Sequence, residues 1–165
     1  MISQCETDIE VGLAGFHAMN ACRMEKGYRH WGHDIHDHIA PYSAGLSFVV
    51  NMDSRDFLGL DALQKLNNVK TYKLGNLAIQ EDDIQFMIHD EPVCRNGQRV
   101  GVKTPAAWGR LVKKSLATAG VTDQQGIDAE WIGNGEFEVE VATTRYPLSV
   151  RFNAYYDPKQ TRLKA

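Results

Sequence analysis

Apolar residues at Ile9, Leu13, Phe16 and Met19, continuing through Cys22 and Met24, recur near the spacing of one helical face, and Gly27 stops the pattern. This predicts a first helix over about residues 10–25. The next stretch, Tyr28 to Tyr42, is rich in Gly, His and Asp and contains Pro41, a composition that favours an ordered surface loop. Gly45 to Val50, with Leu46, Phe48, Val49 and Val50, reads as a short buried strand. Asp56 then precedes the run from Gly59 to Leu66, in which Leu60, Leu63 and Leu66 share a helical face. The pair Asn67-Asn68 ends that helix and marks a domain boundary.

Beyond it the texture changes to short strands divided by turns. Thr71 to Gln80, Phe86 to His89, Pro92 to Arg95, Gln98 to Lys103, Phe137 to Ala142 and Leu148 to Phe152 are each of strand length, several with period-two alternation. Asn96-Gly97 between two such runs signals a hairpin, because both residues tolerate the positive φ of a type I′ turn. The second half therefore reads as a small antiparallel barrel or sandwich. One segment dissents: Trp108, Leu111, Val112, Ser115, Leu116 and Ala119 fit a helical face, and periodicity alone makes it a helix.

The chain has 165 residues, 43% of them hydrophobic, enough for one compact domain or two small units sharing a core. A net charge of −3, with 18 basic and 21 acidic residues spread along the chain, provides no field to gather nucleic acid or an anionic membrane, so neither is expected as a partner. No apolar run approaches a membrane span, and the first residues carry no basic leader pattern; a soluble, cytoplasmic protein is the expectation. Cys5, Cys22 and Cys94 lack CxxC spacing and are expected to be free thiols.

Five of the six histidines fall between positions 17 and 38. His33, His36 and His38 with Asp34 and Asp37 offer nitrogen and oxygen ligands for a divalent metal. Against that reading, they lie in a predicted loop with no helical His pair around a Glu, so polar loop residues are the favoured assignment and no metal is expected. No nucleophile elbow, dinucleotide fingerprint or phosphate loop is present.

Three runs, Cys22 to Ile35 (CRMEKGYRHWGHDI), Pro41 to Val50 (PYSAGLSFVV) and Asp56 to Leu63 (DFLGLDAL), are similar to the glycine cleavage T-protein family, above all to the version at the C-terminus of dimethylglycine and sarcosine dehydrogenases. Glu91 to Gly101 (EPVCRNGQRVG), Lys114 to Val121 (KSLATAGV) and Tyr156-Asp157-Pro158 resemble the C-terminal barrel of the same family. The resemblance covers nearly the whole chain in order. It implies an α+β architecture: residues 1–67 as the C-terminal portion of a folate-binding aminomethyltransferase domain, followed by a small antiparallel β-barrel over 68–165. It also overrules the helix at Trp108 to Ala119 in favour of a loop leading into a barrel strand.

The resemblance further implies tetrahydrofolate as cofactor and no flavin site on this chain. Arg23 matches the motif arginine that lies in the folate cavity; a guanidinium suits a carboxylate because it is permanently charged and forked, although a surface cation on a helix is the plainer reading of such a residue. Tyr28 and Trp31 are candidates for an aromatic wall, although core packing is the favoured use of such residues. Tyr155, Tyr156 and Arg162 are second-rank candidates near the C-terminus. Glu25 is expected to orient loop backbone, or to pair with Lys26 or Arg29, rather than touch ligand. The family's transfer-assisting aspartate and pterin-binding glutamate lie upstream of the motif arginine, and counting back from Arg23 reaches Met1 before either. No catalytic residue is therefore expected here, and the chain alone is expected to be inactive. Two functions compete. In one, the chain completes a folate site together with a second chain carrying the rest of the domain, or with a flavin subunit; in the other, it is a folate-binding or scaffolding module without chemistry. A large exposed apolar face, which a homodimer would also cover, favours the first and a closed polar surface the second.

Overall fold

The computed structural model describes residues 12–53, 56–67, 70–81 and 87–164. Helix α1 (Phe16–Lys26) comes first, and α2 (Leu60–Asn67) precedes the strands β1 (Tyr72–Ile79), β2 (Pro92–Arg95), β3 (Gln98–Gly109) and β4 (Lys114–Thr122). A short helix α3 (Ala129–Gly133) then leads to β5 (Phe137–Val141) and β6 (Thr144–Arg151). The strands close into an antiparallel barrel in the order β1-β4-β3-β2-β5-β6. Among the described residues, closure pairs every strand with a neighbour on each side.

Period-two alternation sorts the side chains. Leu77, Ile79, Ala117, Ala119, Val121, Val139, Leu148 and Val150 fill the barrel interior. The intervening Ala78 and Leu116 lie outside it, where they meet Met24 of α1, with Val112 and Tyr155 packed around them. β1 and β4 are thus covered on both faces, which explains why their residues are buried almost without interruption. Lys103 stands opposite Ala119 in the ladder and is fully buried; its ammonium pairs with Glu91 at 2.8 Å. Gly101 is a close approach of backbone: a Cβ there would lie 2.1 Å from the Gly120 carbonyl oxygen.

The expected hairpin forms at Asn96-Gly97, with φ of 51° and 78°. Three expectations change. Gly45 to Val50 is not a buried strand: Gly45 turns the chain at φ 74°, Ser47–Val49 form a single 3₁₀ turn, and Phe48 and Val49 are 79% and 63% exposed. An apolar run carries no information about whether a neighbouring strand exists to pair with it. The segment Trp108 to Ala119 is no helix; β3 runs to Gly109, the chain turns through Lys113 at φ 55°, and β4 begins, as the family resemblance implied. Its helical periodicity includes residues from both faces of β4, which are both buried. Met87 to His89 form no strand although Met87 joins the core, and Phe86 lies outside the described residues. The first helix starts at Phe16, and the beginning of the expected range also lies outside the described residues.

Candidate functional site

Helix α1 ends where Gly27 adopts the left-handed conformation and the Tyr28 N–H donates to the Arg23 carbonyl at 2.9 Å. That reversal sends residues 28–35 back past the last turn of the helix. Asp34 consequently points at Arg23 from the loop, and the two side chains form an ion pair with exposures of 10% and 0%. The Arg23 guanidinium is held further by Asn20, which accepts from Nε at 2.7 Å, and by the Tyr28 carbonyl at 3.2 Å. Its second terminal nitrogen, Nη2, makes no hydrogen bond to the described residues.

Asp34 is anchored to the barrel as well as to the helix. Thr104 of β3 and Thr118 of β4 both donate hydroxyls to Oδ1, and the His30 backbone N–H donates to Oδ2 at 2.8 Å. Burial alone pushes this carboxyl up, but the bonds from Thr118, His30 and Thr104, together with the Arg23 charge, outweigh it and hold Asp34 below the usual carboxylate range. Beside it, the Arg29 guanidinium donates to Asn76 at 2.7 Å and to the Ala44 carbonyl at 3.3 Å, while Asn76 donates to the carbonyls of Phe152 and Asn153. Burial lowers the Arg29 pKa; Asp34 opposes that shift and Arg23 adds to it.

Glu25 behaves as expected from its place on the helix. Its Oε1 accepts from the backbone N–H groups of Leu111 at 2.6 Å and Val112 at 2.9 Å, fixing the β3–β4 turn. The C-terminal candidates cluster on the same end of α1: Tyr156 N–H donates to the Glu25 carbonyl, Lys26 pairs with Asp157 at 3.0 Å, and the Arg162 guanidinium lies 5.5 Å from the Tyr156 ring centre. Tyr155 donates to the Ser149 carbonyl at 2.6 Å, with Arg151 4.7 Å over its ring. Among the described residues, none of these forms a hydrogen bond or ion pair with the Arg23 side chain.

Tyr28 and Trp31 are not core residues; they are 48% and 68% exposed, which corrects the favoured core-packing assignment. The histidine-rich loop gathers no metal site. Asp34 is committed to Arg23 and the threonines, His36 and His38 flank only Asp37, and among the described residues no group of three His, Cys, Asp or Glu is arranged to hold an ion. Leu13, Phe16 and Met19 lie exposed at and beside the start of α1 and form an apolar surface that no described residue covers. Cys22 on the same helix is an exposed free thiol and Cys94 a buried one, while Cys5 lies outside the described residues.

The family model described as the GCVT N-terminal domain matches residues 2–54, and that of the glycine cleavage T-protein C-terminal barrel domain matches residues 73–157. The chain is 38% identical to a 4-methylaminobutanoate oxidase (formaldehyde-forming) of Paenarthrobacter nicotinovorans over 95% of its own length and 18% of that protein. It is 33% identical to the mitochondrial sarcosine dehydrogenase of Mus musculus, covering 92% of this chain and 17% of the relative. An aminomethyltransferase of Synechocystis is 30% identical over 88% of this chain and 38% of its own. The chain thus spans well under half the length of these relatives. The crystal structure of the glycine cleavage system aminomethyltransferase T from Bartonella henselae superposes with a TM-score of 0.75 at 22% identity, over 94% of this chain and 43% of that one.

Proposed function

The chain belongs to the glycine cleavage T-protein family, and from that premise we propose that it supplies the arginine-bearing side of a tetrahydrofolate site in a protein that transfers one-carbon units from a methylated amine or an aminomethyl donor. The observation that carries the reading is the preorganised Arg23. Its guanidinium is fixed by Asp34, Asn20 and the Tyr28 carbonyl, while Nη2 has no partner among the described residues. A rigid cation with a spare donor edge binds a carboxylate without first losing side-chain freedom.

The exposed faces of Tyr28 and Trp31 fit a flat, partly apolar ring system better than they fit solvent. Tyr155, Tyr156 and Arg162 flank the end of α1 and are the second group proposed to border the cofactor. Bound tetrahydrofolate would supply the nitrogens that accept the one-carbon unit. The chain's own residues hold and orient it. Asp34 is engaged by Arg23, Thr104 and Thr118, and Glu25 Oε1 by the backbone N–H groups of Leu111 and Val112. The acid and base groups are accordingly proposed to come from another domain or chain, for which the apolar side of α1 at Leu13, Phe16 and Met19 offers a docking surface. That same surface disfavours a self-contained scaffolding module. A second copy of the chain is the alternative occupant.

The test is a transfer assay. The isolated chain, given tetrahydrofolate and an aminomethyl donor or formaldehyde, is expected to produce methylene-tetrahydrofolate no faster than the protein-free control. Catalysed transfer by the chain alone would contradict the proposed division of labour.

A further inference from the structure

A cavity lined by neither Arg23 nor the aromatic residues proposed for folate opens where the loop carrying Ser43 and Ser47 crosses the start of β1. It measures about 380 Å³, and its walls include Lys70, Lys73, Tyr72 and Phe152. That volume lies at the lower end of the range for small-molecule sites. Neither lysine forms an ion pair with a described residue; Lys73 Nζ instead rests 3.9 Å from the centre of the Phe152 ring. The acidic residue at the cavity, Asp128, is already engaged as the N-cap of α3, its Oδ1 accepting from the Trp131 N–H at 2.8 Å.

The cavity thus sets Lys70 and Lys73 beside the hydroxyls of Ser43 and Ser47 and the rings of Tyr42, Tyr72 and Phe152, and Asp128, the carboxylate that lines it, is engaged at the start of α3. We propose that this cavity binds a small organic dianion, a phosphate ester or a dicarboxylate carried on a flat ring, with Lys70 and Lys73 on its charges and Tyr72 and Phe152 walling its apolar body. Ser43 and Ser47 donate to the remaining anionic oxygens, which accept only. The electrostatics agree. Burial, then the neighbouring charge of Lys70, lowers the Lys73 pKa against the opposing pull of Asp128, so a bound dianion relieves a repulsion that the unliganded protein carries.

The experiment is calorimetric titration of the full chain at low ionic strength with phenyl phosphate and, separately, phthalate. At least one is expected to bind saturably at a single site, with Lys70→Gln and Lys73→Gln each weakening it by about tenfold. Arg23→Ala and Lys164→Gln are expected to leave the affinity unchanged, the first separating this site from the proposed folate site and the second from general charge attraction. Binding of phenyl phosphate alone assigns a phosphate ester, phthalate alone a dicarboxylate, and both together a site that reads only charge and ring. No saturable binding of either anion by the unsubstituted chain, or binding that Lys164→Gln weakens as much as the cavity substitutions do, would overturn the proposal.

Discussion

Asp34 grips Arg23 from the loop that follows α1 while Thr104 and Thr118 grip Asp34 from the barrel, so one buried carboxylate ties the helix carrying the motif arginine to two barrel strands. Removing it would leave a guanidinium that is 10% exposed without its counter-charge. Asp34→Ala is therefore expected to destabilise the fold by about 3 kcal/mol, the lower part of the range for breaking a buried pair from one side. Urea unfolding of the two proteins measures this. A loss within about 0.5 kcal/mol, the usual range for a surface substitution, would show that the pair is not structural.

Acid should act on the same network. Asp34, Glu91 and Asp157 all have folded-state pKa values below their ordinary ones. In each case burial pushes upward and is outweighed: by Thr118 and its neighbours for Asp34, by Lys103 for Glu91, and by Lys26 and Thr161 for Asp157, which falls to about 2. A depressed carboxylate binds fewer protons folded than unfolded, so its contribution is complete above the unfolded values of 3.8 and 4.5 and is lost as pH falls through the folded ones. Tm is expected to be level near neutrality and to fall progressively below about pH 5. A Tm that rises on acidification through this window would contradict the assignment.

The hairpin at Asn96-Gly97 and the alternating strands were legible because their signals are local: two residues with the right φ, and faces that alternate. The 45–50 run was misread because Phe48 and Val49 have the composition of a strand but no neighbour to pair with, and pairing is not written in the segment itself. The dissenting periodicity from Trp108 to Ala119 has a similar origin, since β4 is packed inside by Ala117 and outside by Leu116 against Met24. Arg23 was identifiable from its motif. The partner that fixes it was not, because Thr104 and Thr118 lie 70 and 84 residues from Asp34 and only the register of β3 on β4 brings them together. In the sequence Asp34 stood out only as a member of the histidine cluster.

Glu25 makes a separable prediction. Its carboxylate satisfies two N–H groups in the turn between β3 and β4, and it is almost wholly buried. Glu25→Ala strands those donors and is expected to cost about 2 kcal/mol, while Glu25→Gln keeps an acceptor oxygen and should recover part of that loss. Hydrogen exchange at Leu111 and Val112 provides the local readout: faster exchange in Glu25→Ala than in Glu25→Gln is expected, and equal protection in both would place the turn's stability elsewhere.

The central claim, that Arg23 lies at a tetrahydrofolate site, is tested most directly by titrating the chain with tetrahydrofolate while following tryptophan emission. Trp31, exposed just beyond the loop reversal that follows α1, serves as the reporter. Saturable quenching is expected, with affinity reduced about tenfold or more in Arg23→Ala and the signal diminished in Trp31→Phe. No saturable response from the unsubstituted chain, or one that Arg23→Ala leaves intact, would contradict the account.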